Sequence, residues 1–229
     1  MKDSPSVDQP SSINADIATL IRAVEEADSK GAMVAAVGRL AAQQHPEAIP
    51  TLIRVLGYNN PGAAVTAVDG LVALGEAAVP ALLEELDGYN YGARAWAIRA
   101  LSLIGDPRAL DILLETATGD FALSVRRAAA KGLGYLNWKL LPSGQVAEAQ
   151  VQSLKALIQG TEDPEWVVRY AAVVGLQGLA LAIHETPCTE DFTTIQQQLQ
   201  RVVQQDNALA VQARAKWALT TLADVASSR

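Results

Sequence analysis

The chain is poor in the residues that most enzymes use for chemistry. Among 229 residues it has one cysteine, Cys188, two histidines, His45 and His184, and 5% aromatics. A lone cysteine excludes an internal disulfide, so nothing calls for an oxidising compartment. With two histidines beside it, a soft metal centre is not expected. Positive charge is also short. The 18 Lys and Arg face 25 Asp and Glu, and the net charge of -7 disfavours a general nucleic-acid binder, whose field must be positive. No uninterrupted apolar stretch approaches the roughly 18 residues of a membrane helix, so no transmembrane segment is expected. Residues 1–12, with two prolines and four serines, lack the basic start and apolar run of a secretion signal. They read as a disordered tail, residues 13–229 as one repeat domain, and the protein as cytoplasmic. No H-E-x-x-H, phosphate-binding loop, dinucleotide fingerprint or G-x-S-x-G occurs. Gly132 and Gly134 have no strand before them that would make them cofactor-binding.

What the chain has in quantity is alanine, 41 residues of it, with leucine and valine. That composition suits closely spaced helices and argues against a β-sandwich. Six segments align without gaps: 32–40, 63–71, 93–101, 125–133, 168–176 and 211–219. Each opens with alanine or valine, has alanine at the fifth place and leucine at the ninth, which is a helical stripe. Their starts lie 31, 30, 32, 43 and 43 residues apart. Between them run further amphipathic stretches: 48–56, 79–86, 110–117, 151–158 and 195–203. Two helices per unit near a thirty-residue period predict an all-α, HEAT-like α-solenoid of five to six helical hairpins, curved around a groove. Gly75 and Gly105 fall where a left-handed cap is needed, and Asp106-Pro107, Asp163-Pro164 and Pro46 mark helix starts. Ala36, Ala67, Ala97, Ala129, Ala172 and Ala215 share one place, where a larger residue would push helices apart. Segments 137–144 and 180–190 read as longer insertions at one edge.

Several side chains are candidates for function. Arg94, Arg126 and Arg169 occupy the second place of their segments, and stacking would set them in a row. Asp120 and Asp163 lie six positions before Arg126 and Arg169, so an architectural Asp–Arg ladder competes with ligand binding for those two. Arg94 has Gly88 at that offset and Asp87 one residue further away, and is the foremost anion-contact candidate. From Gly92 to Lys139 seven basic residues, Arg127 and Lys131 among them, face four acidic ones. Such a strip on an acidic chain can focus a carboxylated ligand or an acidic partner. Tyr58, Tyr89 and Tyr91 stand near Asn59, Asn60 and Asn90, with Trp96 just beyond, offering flat apolar area with hydrogen-bonding handles. Trp166 and Trp217 read more as core than as surface, while Tyr135 and Tyr170 fit either. Asp69, an acid inside an apolar helical segment, is a candidate general acid or a solvated surface group. His184 and Cys188, separated across Pro187, have no fixed geometry. From composition alone, a protein-binding scaffold leads.

The strings 58–65 (YNNPGAAV), 91–100 (YGARAWAIRA), 104–108 (IGDPR) and 120–134 (DFALSVRRAAAKGLG), continued by 166–172 (WVVRYAA), resemble the phycobilisome bilin lyases of the E/F type, on the side of their smaller F subunits. Generic HEAT proteins share the leucines and alanines but not these tyrosine-asparagine and arginine-tryptophan strings. The resemblance covers about residues 17–180 and implies a heterodimer with an E-type subunit. It implies that phycocyanobilin is substrate, with no permanently bound cofactor, and that the thioether is made to a cysteine of the apo-phycocyanin α subunit. It also implies a transient association with phycobilisome assembly. Two further readings remain: a lyase-isomerase F subunit serving phycoerythrocyanin, and a non-catalytic scaffold or chaperone for an apo-phycobiliprotein. The histidine-cysteine motif of the isomerising branch is absent. A bilin needs cations for its propionates and aromatic walls for its conjugated rings. With that ligand in view, Arg94, Arg126 and Arg127 become propionate candidates, Tyr91 and Trp96 wall candidates, and Asp69 a candidate to polarise a pyrrole nitrogen. The nucleophilic thiolate would belong to the client.

Overall fold

The computed structural model describes residues 10–86, 91–184 and 189–227, and the side chains within them except at 10–15, 91, 184, 189–190 and 226–227. Among these residues every regular element is helical. In chain order they are α1 (Pro10–Glu25), α2 (Lys30–Ala41), α3 (Ile49–Leu56), α4 (Pro61–Leu74), α5 (Val79–Glu85), α6 (Tyr91–Ile104), α7 (Leu110–Gly119), α8 (Leu123–Leu133), α9 (Ser143–Gly160), α10 (Trp166–His184), α11 (Thr189–Gln205) and α12 (Leu209–Ser227). The six aligned segments fall in α2, α4, α6, α8, α10 and α12, and the stretches between them in α3, α5, α7, α9 and α11. The helix begins at Pro10, so the last three residues of the expected tail are helical.

Packing divides the chain into two compact units, up to Ala97 and from Ile98 onward. In the first, α2 packs on α1 and α4, and α3 on α4 and α5. In the second, α10 lies between α8 and α12, while α9 joins α7 and α11 on the other layer. This is the helix-pair stacking of a HEAT-like repeat, in which each pair buries its apolar stripe against its neighbours. The shared alanines are what let the helices close: Ala67, Ala97, Ala129, Ala172 and Ala215 are fully buried and Ala36 nearly so. Between α8 and α10 the main chains approach further still. A Cβ at Gly134 would run into the backbone of Gly175, and one at Gly175 into the Ala130 carbonyl oxygen. The glycines that resemble a cofactor loop in sequence are therefore contact points between helices.

Short 3-10 turns introduce α3, α5, α7 and α9, at Pro46–Ala48, Gly75–Ala78, Pro107–Ala109 and Trp138–Leu140. The turn into α7 is capped by Asp106, whose carboxylate accepts the Arg108 N–H at 2.8 Å and the Arg108 guanidinium. Gly75 and Gly105 adopt positive φ, 60° and 71°, as their capping role requires. The expected edge insertions take another form. Residues 137–144 make the 3-10 turn that buries Trp138 and then the start of α9. Residues 180–184 and 189–190 extend α10 and α11, and 185–188, with Cys188, lie outside the described residues. The longer period of the last units thus goes largely into longer helices: 18, 19, 17 and 19 residues for α9 to α12, against 8 and 7 for α3 and α5.

Two stretches, 61–85 and 166–183, are long and apolar enough to cross a membrane by length and composition, although charged residues interrupt both. Gly75 and its 3-10 turn interrupt the first. The second is two-thirds buried inside the protein and carries Arg169, paired with Asp206, so it is a core helix.

Candidate functional site

The repeated arginines of the second unit form the ladder that competed with ligand binding in the sequence. Arg126 donates from Nη1 to the carbonyl oxygens of Asp120 and Phe121, at 2.9 and 3.1 Å. Its Nε and Nη2 reach across to the Asp163 carboxylate of the next repeat, at 2.7 and 3.2 Å. Arg169 repeats the pattern on Asp163 O, Pro164 O and the Asp206 carboxylate, and adds Asn207 Oδ1 at 2.7 Å. Each aspartate also takes a main-chain N–H two residues on: Asp120 from Ala122, Asp163 from Glu165 and Asp206 from Ala208. At the last repeat Gln212 occupies the arginine's place and donates to Asp206 O at 2.5 Å. The Arg126 and Arg169 guanidiniums are held charged more firmly than usual, foremost by hydrogen bonds to Asp163 and Asp206. Asp206 sits below the ordinary carboxylate range: burial pushes it up, but Arg169 and the Ala208 N–H outweigh burial. Arg126 is thereby committed within the protein and is a poor propionate partner, which corrects its candidacy.

Other candidates from the sequence fall as follows. Asn60 is a cap: its Oδ1 accepts the Ala63 N–H at 3.2 Å while its Nδ2 donates to Lys30 O at 3.1 Å. Tyr58 is exposed beside it. Asp69 faces solvent on α4. Arg94 is half-buried, with Nη1 donating to Leu86 O at 3.1 Å, and Trp96 is half-buried on the same helix. Tyr89, Asn90, Asp87 and Gly88 lie outside the described residues, as do the side chains of Tyr91 and His184. Arg127 is exposed on α8.

Arg127 leads to the surface that sequence reading missed. It stands at the third place of its segment and Lys131 at the seventh, one helical turn apart and both exposed. The same two places in neighbouring repeats hold Tyr170 and Trp217, which are 37% and 62% exposed. Trp166 lies one turn before Tyr170 and is also exposed, as is Tyr135 beyond the end of α8. Trp166 and Trp217 are therefore surface residues, against the core reading. The Tyr135 ring lies across Gly178 of α10, where a Cβ would stand 3.0 Å from it. Arg214 of α12 is buried, with its guanidinium carbon 4.7 Å from the centre of the Trp217 ring. Its Nη2 donates to Gln177 Oε1 at 2.6 Å, and its Nη1 has no hydrogen-bond partner. Burial lowers its proton affinity, and the nearby hydroxyls of Tyr170 and Tyr135 act the other way. The exposed face of α8, α10 and α12 thus combines flat aromatic area with cations, an arrangement suited to a conjugated anion. The signal was available in sequence: places three and seven of each segment are the solvent side of the second helix of a pair.

Comparison with known proteins gives the class first. Residues 76–134 match the family described as HEAT repeats, which agrees with the HEAT-like fold of the stacked helix pairs. The chain is 52% identical over 214 residues to phycocyanin alpha phycocyanobilin lyase CpcF of Synechocystis sp. strain PCC 6803, covering 93% of this chain and 97% of that protein. It is 55% identical over 199 residues to phycocyanobilin lyase subunit beta of Pseudanabaena tenuis, covering 86% of this chain and 70% of that one. Among solved structures it matches the complex of CpcE and CpcF of phycocyanin lyase from Nostoc sp. PCC7120. That match has TM-score 0.69 and 50% identity, over 75% of this chain and 98% of that chain. The chain belongs to the E/F-type phycobilisome bilin lyase family, on its F-subunit side.

Proposed function

We propose that this chain is the F-type subunit of a heterodimeric lyase that attaches phycocyanobilin to a cysteine of the phycocyanin α subunit. One observation carries the reading: near-complete coverage of a phycocyanin alpha phycocyanobilin lyase at 52% identity. The aromatic and cationic face of α8, α10 and α12 supplies what that substrate requires. Attachment is an addition: the client's thiolate forms the C–S bond at the bilin ethylidene, and the thiol proton ends on the tetrapyrrole, so no oxidant or reductant is consumed. Thiolates add without help, and what a lyase contributes is orientation and exclusion of wrong adducts. A rigid face that stacks the rings and pairs the propionates holds the ethylidene at a fixed position for the client's cysteine. Arg127 and Lys131 present cations there, while Tyr170, Trp166 and Trp217 offer flat surfaces. Arg94, Trp96, Tyr91 and Asp69 belong to the first unit, where they serve the bilin or the E-type partner.

The test mixes phycocyanobilin, apo-phycocyanin α subunit and this chain, with and without an E-type subunit. An acid-stable product with phycocyanobilin-like absorbance, formed only when both subunits are present, is expected. A phycoviolobilin-like product would replace this reading with the lyase-isomerase. Client binding without faster or redirected attachment would replace it with a chaperone.

A further inference from the structure

Arg214 is the one charged side chain in the described structure that is at once buried and left with an unpartnered hydrogen-bond donor. It is 6% exposed, yet no carboxylate pairs with it. The other buried arginine, Arg169, spends its guanidinium on Asp206, Asn207 and two carbonyls. A buried guanidinium with an empty donor is costly, because the desolvation of that N–H is not offset. The fold nevertheless holds it rigidly, by Gln177 on one side and the Trp217 ring at 4.7 Å on the other. The corresponding fourth place of the other segments holds Ala35, Thr66, Trp96, Ala128 and Ala171, so the repeat does not require an arginine there. Trp217, whose ring it faces, is exposed, as are Tyr170 and Tyr135.

We infer that Arg214 is the anchor for one carboxylate of the ligand, with Trp217 and Tyr170 stacking against the conjugated system that carries it. This rests on the bilin reading above and assigns the propionate end of the substrate to α12. Nη1, enclosed and without a partner in this structure, is the donor left for the carboxylate, Nη2 stays on Gln177, and the low-dielectric setting strengthens the charge-assisted bond. Anchoring the propionate edge leaves the ethylidene end of the tetrapyrrole to project toward the client. A carboxylate donated by the E-type partner is the competing occupant, and the experiment separates the two.

Binding of phycocyanobilin and of its dimethyl ester to the complete E/F complex is followed by the absorbance change, for wild type, Arg214→Gln and Arg214→Lys. Free phycocyanobilin is expected to bind Arg214→Gln roughly tenfold more weakly than wild type. The ester, which loses both carboxylates, is expected to bind wild type at least as weakly as the free acid binds the variant, and to lose little further affinity in the variant. Arg214→Lys should recover part of the affinity. Gel filtration with the E-type subunit should show the heterodimer intact. Equal affinity of acid and ester for wild type overturns the inference, and this arm needs no variant to fold. So does an Arg214→Gln chain whose only defect is failure to join its partner. The broader lyase reading is judged separately, by wild-type attachment to the client. If wild type attaches the bilin while binding acid and ester alike, only the anchor falls.

Discussion

Gly175 illustrates how much of this fold is decided by single atoms. Its missing side chain lets α10 press against the Ala130 carbonyl of α8, and Leu157 fills the remaining space. Gly175→Ala must move one helix, and overpacking of this kind costs about 3 kcal/mol. Urea unfolding should show that loss, while Gly144→Ala, where nothing lies within contact distance, should be near neutral. Asn60 carries a different burden: it caps α4 and ties that helix to the Lys30 carbonyl. Replacing it by alanine removes a cap and leaves the buried Ala63 N–H without its partner, a loss of about 2 kcal/mol in the same measurement. In sequence, Asn60 stood beside Tyr58 and Asn59 as part of a ligand-like cluster. Pro61 after it marks a cap in the sequence, as at Asp106-Pro107, but the second bond, to Lys30 thirty residues earlier, is visible only in the structure.

Between elements, the Asp–Arg ladder sets the spacing of the last three repeats. The Arg169–Asp206 pair is shielded, with side chains 11% and 4% exposed. Breaking such a pair leaves an uncompensated charge, so Asp206→Ala should lose about 3 kcal/mol, read as a fall in melting temperature. Acid should act through the same pair. The folded state holds the Asp206 and Asp106 carboxyls below their unfolded value, which is near 3.9. The stability they contribute is fully present above that value and is lost as pH falls through their folded pKa. The melting temperature is expected to drop below about pH 4, less steeply in Asp206→Asn. A pH profile that is identical in the variant would remove Asp206 from the account. The ladder was legible in sequence as aspartates six residues before Arg126 and Arg169. Which aspartate each guanidinium pairs with was not, since the carboxylate comes from the following repeat, 37 residues on.

On the scale of the whole molecule, the charge distribution matters more than its sum. An acidic chain of net charge -7 presents Arg127 and Lys131 on the face that also carries the exposed Tyr170 and Trp217. Local cations of this kind steer an anionic substrate and are weakened by salt. Exchanging Arg127 and Lys131 for glutamate should slow bilin attachment by the E/F complex about tenfold, with less dependence on ionic strength. Both side chains are exposed, so melting should change little. Unchanged attachment would exclude this face from the substrate's path.

The amino-acid sequence alone determined the helix pairs, their six-fold register, the caps and the buried alanines, because each follows from local periodicity and turn chemistry. Its strings also carried the likeness to bilin lyases. Tertiary structure decided which polar groups are spent on architecture and which are left over. Along the chain Arg126 stands out as a repeated arginine and Arg214 carries no such mark, but one meets Asp163 and the other meets only Gln177 and an aromatic ring. That difference depends on side chains 37 residues apart, brought together by stacking, and no local pattern contains it.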